Sequence, residues 1–229
     1  MPVSVVTLFS IVLTLGIYML ARVLAVRFPS PLTTPVFLST AAIIFVLVGS
    51  GISYEEYTPA KEMMTYLLGP ATVALAVPLY RNRYVLWQKA VPAFLGMIAG
   101  TLATIASAVW LTKAFHLTTT TAASAAVKSV TTPVAIEVAR IIGGDPALSA
   151  IFVMVAGMFG AMFGPWLLTA MKVTDPFSRG LSMGTTAHGI GTAQIVNEGS
   201  LQGAVSGAAM GFAAILTSVI LPWFFPLLK

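Results

Sequence analysis

At 229 residues, with 58% hydrophobic and only 8% charged side chains, the chain has too little polar surface to clothe a water-soluble globule, and a mean hydropathy of +0.94 makes lipid the solvent that fits. A net charge of +5 and a pI near 9.7 could suit nucleic acid, but the basic residues stand singly at the ends of apolar runs, as membrane-interface anchors do. The absence of cysteine excludes a disulfide framework, thiol catalysis and Cys-based metal sites.

Crossing about 30 Å of hydrocarbon takes roughly 20 apolar residues in a helix. Residues 3–26 form the first such segment; with no basic leader and no small-residue cleavage site, they read as a retained helix rather than a signal peptide. Arg22, Arg27 and Pro29-Ser30-Pro31 end it. The second, 35–52, closes on Gly49-Ser50-Gly51, and an acidic loop, Tyr54-Glu55-Glu56-Tyr57, follows. The third, 63–80, contains Gly69-Pro70 and Pro78 and leads to Arg81-Asn82-Arg83; the fourth is 87–111.

After a loop at 113–121, the fifth segment, 122–142, holds Lys128, Pro133, Glu137 and Arg140. The sixth, 147–171, is the most uniformly apolar. A loop at 172–179 precedes the seventh, 180–196, and 201–228 completes the set. The expected fold is an all-α polytopic membrane protein of about eight segments, some broken or re-entrant, in a single membrane domain over 1–229.

The positive-inside rule places Arg81, Arg83 and Lys89 in the cytoplasm, with Arg22 and Arg27, and the Glu55-Glu56 loop outside. Simple alternation then strands Lys172 and Arg179 outside, unless one interrupted segment enters and leaves on the same side. A shift of 115 residues aligns Pro31 with Pro146, Gly49 with Gly164, Gly69 with Gly184 and Asn82 with Asn197, which suggests repeats over 1–114 and 116–229; shared composition is the competing explanation.

Three polar breaks could carry chemistry. In Lys128-Ser129-Val130-Thr131-Thr132-Pro133, a lysine and three hydroxyls must face one another, water or a ligand rather than lipid. Thr132 suits an N-cap and Pro133 a first helical position, so a helix restarting here would aim backbone N–H groups and its positive dipole end at an anion, with Lys128 adding a full charge. The bland alternative is a snorkelling lysine and hydroxyls bonded back to the helix.

In Gly184-Thr185-Thr186-Ala187-His188-Gly189-Ile190-Gly191-Thr192, a continuous helix would put Thr185, His188 and Thr192 on one face, while the glycines permit unwinding or close packing. His188 could exchange a proton near neutral pH, or be a hydrogen-bonded core histidine. Gly69-Pro70, with Thr72 after it, reads as a third break or a simple kink. Glu137 and Arg140 are spaced to pair, Glu198 reads as an interface residue, and His116 lies in a loop. Ser206 with His188 could suggest a hydrolase, but small-residue packing explains residues 203–211 better, and no enzyme activity, cofactor or metal is expected.

The run Tyr66-Leu67-Leu68-Gly69-Pro70-Ala71-Thr72-Val73-Ala74-Leu75-Ala76-Val77-Pro78-Leu79-Tyr80, with Lys128-Ser129-Val130-Thr131-Thr132-Pro133 and His188-Gly189-Ile190-Gly191-Thr192-Ala193, resembles the LrgB/CidB family of antiholin-like bacterial inner-membrane proteins. Gly51-Ile52-Ser53-Tyr54 and Ile142-Gly143-Gly144 also fit, over essentially the whole chain. The resemblance implies either control of murein hydrolase activity and lysis beside a small LrgA/CidA-type holin-like partner, or carriage of carboxylates, since plastid relatives move glycolate and glycerate and some bacterial ones are linked to pyruvate.

The residues lean to the second. The expectation is a transporter of small monocarboxylates that assembles as a homo-oligomer. Its binding residues would be Lys128, Ser129, Thr131, Thr132 and Pro133, with Gly69, Pro70, Thr72, His188, Gly189 and Thr192. His188 would couple protons, in an elevator-like or rocking movement.

Overall fold

The computed structural model describes residues 3–74 and 76–228, with 3, 4, 68, 72 and 228 described by backbone alone. Among the described residues there are twelve α-helices and no strand. The chain packs as two units, Met1–Ala76 and Val77–Lys229.

In the first unit, α1 (Val3–Arg27) packs on α2 (Pro35–Ser50) and α3 (Tyr54–Tyr66). The Thr14 and Tyr57 hydroxyls meet at 2.9 Å across the α1–α3 contact. Helix α2 stops at Gly51, whose φ of 69° is open to glycine and whose N–H caps the Leu47 and Val48 carbonyls. The acidic stretch expected as a loop is instead the first turn of α3. Ser53 and Glu56 form a reciprocal capping box, and carboxylates favour the positive helix end. Leu67 separates α3 from α4 (Leu68–Ala74), so Pro70 falls third in α4 rather than first, where its missing N–H is still one the helix cannot use.

In the second unit, α5 (Ala76–Arg81) and α6 (Arg83–Gln88) lead into α7 (Ala90–Ala114). Then follow α8 (Thr119–Ala126), α9 (Thr132–Ile142), α10 (Pro146–Ala170), α11 (Pro176–Ile195) and α12 (Ser200–Leu228). Five stretches of the described chain are long and apolar enough to cross a membrane: Val5–Arg27, Tyr54–Arg81, Ala90–Ala114, Pro146–Ala170 and Ser200–Leu227. The chain is a multi-pass membrane protein.

The fifth and seventh expected segments fold back on themselves. Helices α8 and α9, of 8 and 11 residues, are each too short to span. They form a hairpin whose open end is closed where the Asp145 N–H donates to Ser124 Oγ at 2.8 Å. Helix α11 breaks at His188, whose φ of 41° and ψ of −137° reverse the chain. Its two ends are joined by Arg179 and Glu198, 2.6 Å apart, although 19 residues separate them.

Both hairpins are anchored to α10, at opposite ends. Asp145, at the first hairpin's base, caps the start of α10. Arg179, at the second's, donates to the Pro165 carbonyl at 3.1 Å and Thr169 Oγ1 at 3.2 Å near its end. A Lys89–Asp175 ion pair of 3.2 Å sets the start of α7 beside the start of α11. Arg81, Arg83, Lys89, Lys172 and Arg179 therefore gather at one end of this unit, and Lys113 and Arg140 at the other. The charge conflict of simple alternation disappears because the first hairpin leaves on the side it entered.

Candidate functional site

The first hairpin turns through Val127, Lys128, Ser129 and Val130, with Val127 and Val130 buried in an apolar cluster with Ile105 and Val109 of α7 and Val153 of α10. Lys128 is half-buried, and its ammonium donates to the Thr104 carbonyl, near the middle of α7, at 2.8 Å. No carboxylate pairs with it among the described residues. Ser129 is buried and its hydroxyl has no partner among the described residues. Thr131, not Thr132, stands at the N-cap position of α9, with no side-chain cap bond: its φ of −65° and ψ of 146° are extended and Thr132 is already helical, with Pro133 in the first turn where no N–H is missed. Thr131 and Thr132 are half-buried and Pro133 is exposed.

The second hairpin turns at His188 and Gly189. A buried imidazole there sets Nε2 3.0 Å from the Val153 carbonyl. Beyond the turn, Thr192 donates to the His188 carbonyl and meets Ser206 Oγ of α12, each at 2.8 Å. Thr192 therefore shares the turn with His188 through reversal of the chain, not through the continuous helix face the spacing suggests. Thr185 spends its hydroxyl on the Leu181 and Ser182 carbonyls of its own helix. Ser206 bonds Thr192, so it forms no Ser–His pair with His188.

Val153 links the two tips: its side chain belongs to the apolar cluster that holds Val127 and Val130, and its carbonyl faces His188. Two groups of predicted residues are thus brought to one region, Lys128 and Ser129 from one hairpin and His188, Gly189 and Thr192 from the other. Gly69 and Pro70 are exposed on α4 of the first unit, and the side chain of Thr72 lies outside the described residues. Glu137 and Arg140 pair with each other at 2.9 Å on an exposed face.

The sequence reading missed the seat of the second hairpin on α10. A Cβ built at Gly157 would lie 2.7 Å from the His188 ring, one at Gly160 would strike Ala187, and one at Gly164 would strike Met183. The spacing Gly157-x-x-Gly160-x-x-x-Gly164, hidden inside the most apolar segment, is the signal for such close approach. It also missed Arg179, only 8% exposed, whose guanidinium donates to Glu198, Thr169 and the Val173 and Pro165 carbonyls. Asp, Glu and Arg separated by a reversal leave no local pattern.

Comparison with known proteins finds a match to the model of the LrgB-like family over residues 14–227. The chain is 35% identical to "Uncharacterized protein YwbG" of Bacillus subtilis (strain 168), covering 97% of this chain and 98% of that protein. To "Uncharacterized protein YxaC" of the same strain it is 33% identical, over 98% and 99%. To "Holin-like protein CidB" of Staphylococcus aureus (strain Mu50 / ATCC 700699) it is 29% identical, over 94% of each. No solved structure matches this chain.

Proposed function

This chain belongs to the LrgB-like family, and on that premise we propose that it is a bacterial inner-membrane carrier of small monocarboxylates such as pyruvate, glycolate or related 2-hydroxy acids. One observation carries the reading. An ammonium with no carboxylate partner among the described residues is held at the tip of a re-entrant hairpin, beside an unpaired buried hydroxyl and the start of α9. A charge there is expensive unless a counter-ion visits it, and a helix N-terminus adds N–H donors for that anion.

In this reading Lys128 and Ser129 hold the carboxylate and Thr131 and Thr132 border it. His188 and Thr192 close the far side, and His188 exchanges the coupling proton. No bond is made or broken in the substrate. In place of the repeats expected over 1–114 and 116–229, the two pairs of long helix plus hairpin, α7 with α8–α9 and α10 with α11, are read as an inverted repeat that brings the tips together from opposite membrane faces. Their common anchorage to α10 suits movement as one body, as an elevator or rocking carrier requires.

The name of the Staphylococcus relatives speaks more directly for a second reading, a holin-like or antiholin-like protein that modulates murein hydrolase activity and lysis with a small membrane partner. Such a protein needs packing faces but no buried anion site. Liposomes holding the purified chain separate the two. The carrier reading expects saturable uptake of labelled glycolate or pyruvate, blocked by the unlabelled acid and lost in Lys128→Met, with no leak of a large trapped dye. Dye leak without saturable uptake, or uptake untouched by Lys128→Met, contradicts it.

A further inference from the structure

Two buried hydroxyls of the second unit have no hydrogen-bond partner among the described residues: Ser129 Oγ and, unused so far, Thr101 Oγ1 on α7. Thr101 is 2% exposed and Ser129 6%. The other two threonines of α7, Thr104 and Thr112, bond a carbonyl one turn back, as Thr185 of α11 does, so Thr101 departs from the habit of its own helix. A buried hydroxyl with no partner among the described residues calls for an explanation.

Its place supplies one. Thr101, Ile105, Ala108, Val109 and Thr112 are the buried stripe of α7, and Ile105 and Val109 pack with Val127 and Val130, which bracket Lys128 and Ser129. Thr104, whose carbonyl receives the Lys128 ammonium, is one turn beyond Thr101. On the other side, a Cβ built at the adjacent Gly100 would lie 3.2 Å from Thr185 Oγ1 of the second hairpin. Thr101 therefore stands where α7 passes from one hairpin to the other.

An ammonium and one hydroxyl suffice for a carboxylate; a second free hydroxyl on α7, one turn before Thr104, has use for a second oxygen. Resting on the carrier reading, we infer that Thr101 is a specificity-determining binding residue that hydrogen-bonds an oxygen on the carbon next to the carboxylate. The site would then favour 2-hydroxy and 2-oxo acids over plain short carboxylates. A group built to bond a substrate oxygen discriminates against the analogue that lacks it.

The test is Thr101→Val, which keeps the shape and removes an atom with no partner among the described residues, with thermal unfolding as the check that the fold survives. Wild-type and variant liposomes take up labelled glycolate and acetate in parallel. The wild type prefers glycolate, and the variant loses about tenfold of that preference. A preference that is unchanged, or a loss that strikes glycolate and acetate equally, overturns the role of Thr101. Wild-type uptake of both acids without preference overturns this inference alone, whereas no wild-type uptake of either overturns the carrier reading and this inference with it.

Discussion

His188 sits at φ 41° and ψ −137°, backbone space that suits glycine and costs another residue on the order of 1–3 kcal/mol. Its imidazole is held against the Val153 carbonyl and the open face of Gly157, so packing fixes the strained conformation. Both His188→Gly and His188→Ala lose the Val153 bond, but only alanine keeps the strain. Thermal unfolding in detergent should therefore rank the glycine variant above the alanine variant by about 1 kcal/mol; the reverse order would mean that the turn is unstrained. The break at Lys128 to Pro133 was legible because proline favours the first turn of a helix, although the N-cap falls on Thr131 rather than on Thr132. The reversal at His188 was only half legible: His-Gly advertised an interruption, but a positive φ on the histidine rather than on the glycine is imposed by packing.

Helix-to-helix fit decides the next level. A Cβ at Gly184 would strike the Ser206 carbonyl, and one at Gly180 the Gln202 carbonyl, both backbone atoms of α12 that cannot swing aside. Gly184→Ala should destabilise by about 2 kcal/mol or more, whereas Gly49→Ala, with open space around it, should be neutral or slightly stabilising. Equal unfolding temperatures for the two would refute the α11–α12 contact. Arg179 and Glu198 close the second hairpin with side chains 10% and 28% exposed, and Arg179→Leu should cost on the order of 3 kcal/mol, because it leaves Glu198 unpaired. At the other end of the same base, the Ser178 hydroxyl and backbone N–H, then Lys89, hold the Asp175 carboxyl below the usual range. The sign follows: this cap contributes above the ordinary Asp pKa of about 3.9 and is lost as the pH falls through the lowered folded value. Asp175→Asn should weaken the protein at neutral pH and matter least in strong acid. The Asp175–Ser178 cap is local, three residues apart, but the Arg179–Glu198 and Lys89–Asp175 contacts could not be read from the sequence, since only the folded arrangement brings those residues together.

For the molecule as a whole, about eight apolar segments were legible from hydropathy alone, and five long stretches, the shorter α2 and two hairpins account for them. The sidedness conflict in the charges already pointed to a re-entrant segment; that there are two, entering from opposite ends of α10, was not legible, because a hairpin and a single span have the same length and hydropathy. Because the chain lacks cysteine, single cysteines report topology directly. An impermeant thiol reagent should label Lys172→Cys only from the cytoplasmic face and His116→Cys only from the outer face. Labelling of both from one face would undo the arrangement of the second unit. The account turns on one site made by two tips, and a structure determined with saturating glycolate tests it most directly. It predicts the carboxylate about 3 Å from Lys128 Nζ and Ser129 Oγ, with His188 or Thr192 on its far side. A carboxylate bound away from both tips, or no bound carboxylate at saturation, would contradict it.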